Sequence, residues 1–154
     1  MSERTPTPID QIAEAWVDTL VAHEPTIGTM IGRNEANGKL ADLSPAGAEA
    51  HAADARATLA ELSAAVPIDA VDAVTQADLG AELRRNLNVI ASPVQDIRDS
   101  FDLMPLESAD DWEAVAERLR AVPAALSGHR ESLALGAARG MAPAIRQVRE
   151  VAEQ

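Results

Sequence analysis

Three times in this chain a hydroxyl residue is followed by proline, and then by apolar residues stepping three and four positions apart: at Thr7-Pro8, Ser44-Pro45 and Ser92-Pro93. That combination leaves little room for anything but helix. The hydroxyl caps one of the orphan N–H groups of a helix start, and proline at the first helical position loses no hydrogen bond. After Thr7-Pro8, the residues Ile9, Ile12, Ala13, Trp16 and Leu20 share one face. Ser44-Pro45 opens a predicted helix to about Ala65, with Ala48, Ala52, Ala55, Leu59, Leu62 and Val66 on its stripe. Ser92-Pro93 opens a short one carrying Val94, Ile97 and Phe101.

Two further starts rely on capping alone. Thr75 with Asp78 resembles a capping box, Val74 and Leu79 are spaced as a hydrophobic staple, and Leu79, Leu83, Leu87 and Ile90 follow. Ser108 with Asp111 opens the longest helix. Its stripe is Trp112, Val115, Leu119, Val122, Leu126, Arg130, Leu133 and Ala137, and it keeps phase straight through Pro123. Unbroken periodicity predicts one helix from about Ser108 to Arg139, kinked at Pro123 and gripped by one core along both halves. Gly140 reads as its stop. Pro143 restarts a helix with Ile145, Val148 and Ala152, running to Gln154 with no stop signal. Residues 28–45 form the longest stretch expected to be irregular, with Gly32, Asn34, Asn37 and Gly38 suited to turns.

The fold class expected is therefore all-α: an antiparallel helical bundle or array of about six to seven helices, one of them long and proline-kinked. Residues 1–7 read as a flexible tail and 8–154 as a single helical domain. The core must be Leu, Val, Ile and Ala around few anchors, because 32 residues are alanine and only Trp16, Phe101 and Trp112 are aromatic. Small side chains let helices approach closely.

Composition narrows the function classes. A net charge of −12 repels nucleic acid phosphates and anionic membrane surfaces, and serves solubility. No cysteine is present, so disulfides and thiolate metal sites are excluded. No apolar run approaches the length of a membrane span, and the expected location is cytoplasmic.

Motifs that would carry chemistry fail on spacing. His23-Glu24-Pro25-Thr26-Ile27 begins like the zinc-peptidase signature His-Glu-x-x-His, but Ile27 stands where the second His belongs, and Pro25 interrupts the helix that would aim both rings at one metal. The stretch reads instead as a helix end. "GRNEANGKL" has its glycines one residue too far apart for a P-loop, and Leu40 replaces the magnesium-binding hydroxyl. The residues three before His23, His51 and His129 are Leu20, Ala48 and Leu126, so no Glu-x-x-His pair exists. His51 with Asp54 offers too few ligands for a metal and reads as an exposed polar face. Asp110-Asp111 suits a helix first turn. No catalytic, cofactor-binding or metal residue is assigned.

"NVIASPVQDIRDSFDLMP" (88–105) resembles a segment of the bacterial domain-of-unknown-function-885 family. "PTIGT", with Gly28 where that family has alanine, "LADLSP", "RLRAVPAALSG", "SLALG" and "RQV" resemble further pieces in the same order, from about Pro8 onward. Members of that family look like longer, helical, gluzincin-type zinc metallopeptidases whose His-Glu-x-x-His lies downstream. The resemblance implies that this chain is an N-terminal part. Zinc is then implied only for the missing part, and no ligand maps here. Ser92, Pro93, Gln95, Ile97, Phe101, Pro105 and Pro123 read as caps, core and kink, and Arg98 with Asp102 as an ion pair.

Two readings follow. One is a non-catalytic helical region that walls or covers a substrate cleft supplied by the rest of a longer chain. The other is a stand-alone helical protein-interaction module. The partners these imply are the remainder of a longer chain, a peptide substrate or a helical protein, with no nucleic acid and no membrane. An independent enzyme ranks below both.

Overall fold

Thr7 and Asp10 close a capping box at the first helix: Thr7 Oγ1 accepts from Asp10 N at 3.2 Å, and the Asp10 carboxylate accepts from Thr7 N at 2.8 Å. From there the computed structural model, which describes residues 4–86, 97–141 and 149, is all-helical. The described elements are α1 (Pro8–His23), α2 (Pro25–Met30), a 3₁₀ turn (Asn34–Ala36), α3 (Pro45–Ala64), α4 (Ala70–Asn86) and α5 (Ala109–Ala138). Among the described residues no helix is long and apolar enough to cross a membrane. The predicted helices after Ser92-Pro93 and Pro143 fall mostly outside the described residues.

The caps carry most of this order. Ser44 Oγ accepts from Gly47 N at 3.1 Å and starts α3. Ser108 Oγ accepts from Asp111 N at 3.2 Å, while Asp111 accepts from Ser108 N at 2.8 Å, and these start α5. Hydrogen bonding from the Ser108 hydroxyl first, and then from the Ser108 and Glu107 amides, holds the Asp111 carboxyl below its ordinary range.

Two expectations are corrected here. Pro25 ends α1, but it also opens α2, so helix intrudes into the stretch 28–45 that reads as irregular. Proline at a first helical position is a start as much as a stop. Helix α4 begins at Ala70 and not at Thr75, because Asp69 is the cap: its carboxylate accepts from Asp72 N at 2.8 Å. Asp69 is itself gripped by Arg4 Nε at 2.8 Å. Arg4 also pairs with Asp10 at 2.6 Å and with Asp72. Fully buried Asp72 accepts in addition from Thr7 Oγ1 at 2.8 Å and Ile68 N at 2.9 Å. One carboxylate thus fastens the entry of α1 to the first turn of α4.

Helices α1, α3 and α4 enclose the main core. Ile9, Ile12, Trp16, Ala55, Leu62 and Leu83 are buried there, with Leu20, Leu59, Ala65 and Leu79 packed around them. Full burial of each large apolar side chain contributes about 1.5–3 kcal/mol. Val66, expected on the α3 stripe, lies past the helix end and is exposed.

Helix α5 runs through Pro123 without interruption, as its periodicity predicts. It ends in a Schellman turn: Met141 N donates to Gly136 O at 2.9 Å and Gly140 N to Ala137 O at 3.0 Å, with Gly140 at φ 77°. Which face it buries is a correction. The buried residues are Arg118, Ala125 and Gly128, not the large apolar stripe. Trp112 is 57% exposed, Leu119 56%, Leu126 38% and Leu133 53%. Of the three expected aromatic anchors only Trp16 is fully in the core, and Phe101 is half-buried. Small residues win the inner face because α5 lies against backbone. A Cβ on Gly128 would sit 2.7 Å from Ser44 N, and Ser132 Oγ donates to Leu43 O at 2.7 Å.

Candidate functional site

Besides the Arg4–Asp72 cluster that fastens α1 to α4, two further polar clusters and one open face stand out among the described residues. The first cluster lies where α1 gives way to α2. His23, the last residue of α1, aims Nε2 at Asp54 Oδ2 of α3 at 2.7 Å. One turn back on α3, His51 Nδ1 lies 3.8 Å from Glu24 Oε1, at the α1–α2 junction. The two imidazoles stack with centroids 4.7 Å apart and planes 11° apart, and Trp16 stacks on the far side of His51 at 6.0 Å. His23 is thus paired with a carboxylate of the opposite helix, while His51 has the Glu24 carboxylate nearby but beyond hydrogen-bond distance.

The sequence motif "HEPTI" and the His51–Asp54 pair are brought together by the fold, a meeting invisible to spacing because 31 residues separate His23 from Asp54. His51 is not on an exposed polar face as its spacing suggests; it is half-buried, and its Nε2 is buried with no hydrogen-bond partner. Burial pushes the His51 imidazole below its ordinary range, the neighbouring His23 adds to that, and Asp54 opposes it. Near-parallel rings send their in-plane lone pairs side by side, so these two histidines do not converge on one metal. Among the described residues no group of three or more His, Cys, Asp or Glu is placed to hold a metal ion.

The second cluster surrounds Arg118, which is fully buried. Its guanidinium donates to Thr29 Oγ1 of α2 at 2.6 Å, to Ala36 O of the 3₁₀ turn at 3.2 Å and to Ser100 O at 3.1 Å. Phe101 lies under it, 5.9 Å from ring centroid to guanidinium carbon. Nε has no hydrogen-bond partner, and among the described residues no carboxylate pairs with the group. Burial alone pushes its pKa down. Arginine here is a joint: one side chain ties α2, the 3₁₀ turn and the segment before α5 to α5 itself. Sequence reasoning missed it, because Arg118 falls between the apolar steps of its helix and looks like a solvated residue.

The remaining residues singled out by sequence take structural roles. Arg98 pairs with its neighbour Asp99 at 2.9 Å instead of Asp102. Asp110 and Asp111 stand in the first turn of α5. "GRNEANGKL" holds the 3₁₀ turn, with no phosphate-cradling loop ahead of a helix. Gly28, the departure from alanine, faces Ala36: a Cβ there would lie 2.6 Å from the Cβ of Ala36 and 2.8 Å from Val21. The open face is the stripe of Trp112, Leu119, Leu126 and Leu133 on α5, four large apolar residues at seven-residue intervals.

A comparison with family models matches residues 25–154 to the one described as "Bacterial protein of unknown function (DUF885)". The match begins at the first residue of α2 and leaves α1 outside, a later start than the resemblance from about Pro8. No curated protein matches the chain.

Proposed function

Because the chain belongs to the DUF885 family of bacterial proteins of unknown function, we propose that it is a non-catalytic helical region of a longer, metallopeptidase-like protein, walling or covering a substrate cleft that downstream residues supply. The observation that carries this reading is the outward stripe of α5. A helix anchored on one side by Arg118 and Gly128 and lined on another by Trp112, Leu119, Leu126 and Leu133 is built to be covered. In this reading the protein's location is the cytoplasm, and zinc belongs to the downstream part.

The nucleotide sequence after codon 154 is the direct test. An open frame leading to His-Glu-x-x-His supports the reading; co-expression of that segment with this chain should then give a co-purifying pair whose peptidase activity needs the downstream part. A native stop codon favours the second reading, a stand-alone helical interaction module, which the same open face also supports.

A further inference from the structure

Polar groups fasten helix α1 at both ends, and the two fastenings differ in chemistry. At its start Arg4 engages the carboxylates of Asp10, Asp69 and Asp72, and Thr7 Oγ1 donates to Asp72. At its end His23 stacks on His51, with Asp54 of α3 beside one ring and Glu24 of the α1–α2 junction beside the other. Among the described residues no carboxylate of α4 or α5 pairs with either ring. A cationic His51 fits this second fastening badly. It carries an N–H at both nitrogens, and its Nε2 is buried with no hydrogen-bond partner. With both rings charged, like charges lie face to face at 4.7 Å. Trp16, 6.0 Å from the His51 ring, stands at the limit of cation–π attraction. Asp54 offsets the charge only in part, because its Oδ2 is engaged by His23 Nε2 at 2.7 Å, and Glu24 at 3.8 Å is beyond hydrogen-bond distance.

We propose that this corner is an acid-released latch: a proton on His51 parts the end of α1 and the start of α2 from α3, while the Arg4 cluster keeps the start of α1 fastened. The order of release follows from the groups involved. Burial first, and then His23, hold the His51 imidazole below its ordinary 6.5, against the pull of Asp54. The stability this ring contributes is therefore present above about 6.5 and lost as pH falls through its lower folded-state value. Hydrogen bonds from Arg4 hold Asp10 and Asp69 below their ordinary range, so the first fastening lasts until the pH is beneath about 4. Between the two lies a window in which α1 is tied at one end. The opening reaches beyond the corner itself. Thr29 rides on α2 and accepts the 2.6 Å hydrogen bond of buried Arg118, so a shift of α2 removes one of the ties on α5.

The test follows Trp16 in the W112F chain, where it is the sole tryptophan. Between about pH 7.5 and about pH 5.5, its emission is expected to move to the red and its acrylamide quenching to rise severalfold, with the far-UV helix signal unchanged. Adding H51F to that chain keeps an aromatic ring against Trp16 that takes no proton, and should remove both changes. Amide exchange of the native chain at about pH 5.5 needs no variant: residues 17–31 should be roughly tenfold less protected than residues 9–13 and 72–83. Trp16 staying blue-shifted and shielded down to about pH 5, helix signal lost in step with exposure of Trp16, the same transition in the H51F chain, or equal protection at the two ends of α1 would each overturn the latch.

Discussion

His23 and His51, from two different helices, stack with ring centroids 4.7 Å apart, His23 Nε2 lying 2.7 Å from Asp54 of α3 and His51 Nδ1 3.8 Å from Glu24, the residue that follows α1. The arrangement is a clasp between α1 and α3 at the point where α1 breaks into α2. It works while the ring closest to the core is neutral. A proton on His51 adds charge next to Trp16, beside a second imidazole, in a place where Nε2 has no acceptor. The same junction carries Thr29 of α2, which holds the Arg118 guanidinium, so loosening it reaches α5 through one side chain.

Stability should therefore fall as pH drops below neutrality. His51 is held below its ordinary range in the folded chain, whereas the unfolded chain protonates it near 6.5. Between those two values the unfolded state binds more protons, so stability rises with pH there and is lost on acidification. The depressed carboxyls of Asp10, Asp69 and Asp111 act lower, losing their contribution only as pH falls beneath about 4. Urea melts from pH 7.5 to 5 should slope downward for the native chain and flatten in H51Q. An unchanged slope in H51Q would assign the effect to other groups.

Arg118 and Arg120 sit two residues apart on α5 and should differ widely in what truncation costs. Arg118→Ala leaves the carbonyls of Ala36 and Ser100 and the Thr29 hydroxyl without their donor and opens a cavity, a cost of about 3 kcal/mol or more. Arg118→Met refills the space but not the hydrogen bonds, and should remain destabilised. Arg120, exposed and paired with Glu113 at 3.0 Å, should lose no more than about 0.5 kcal/mol on the same change. Denaturant midpoints of the three variants compare the sites within one helix.

Local rules place the starts of α1, α3 and α5, miss α2 and the start of α4, and do not reach the buried faces. Thr7, Ser44 and Ser108 announce their helices because a cap is a short-range hydrogen bond between neighbours. Thr75 has the local spacing of a cap, but the helix is capped at Asp69, which accepts from Asp72 N and is gripped by Arg4 across 65 residues. Periodicity shows that α5 has an apolar stripe but not that the chain covers it. Its inner face is chosen by close approach to the backbone at Ser44 and by Arg118, neither of which has an apolar signature. The His23–Asp54 and Glu24–His51 pairs escape for the same reason: each is a product of how α1 crosses α3.

The two tryptophans offer a direct check of that inversion. Trp16 is 4% exposed and Trp112 57%. Acrylamide should quench the native chain as two populations, one shielded and one open. W112F should remove the open population and leave blue-shifted, poorly quenched emission. If W112F instead retains the readily quenched component, Trp112 lies in the core and the stripe faces inward.

Gly128 and Gly136 separate packing from helix propensity on the same helix. Alanine is favoured over glycine in a helix interior by roughly 0.8–1 kcal/mol, chiefly through backbone entropy. At Gly136 a Cβ meets nothing within 4 Å, so Gly136→Ala should gain up to about that amount. At Gly128 the new carbon would lie 2.7 Å from Ser44 N and 3.1 Å from its Cα. These are backbone atoms at the capped start of α3, and they cannot turn aside as a flexible side chain would. Helix α5 must back away, which weakens the Ser132–Leu43 hydrogen bond and threatens the cap that Ser44 gives Gly47. Gly128→Ala should therefore destabilise by about 1–3 kcal/mol, the range of overpacking a tight interior. Thermal melts of both variants decide the matter. A stabilised Gly128→Ala chain would mean that α5 does not rest on the α3 start, and the basis for its outward face would go with it.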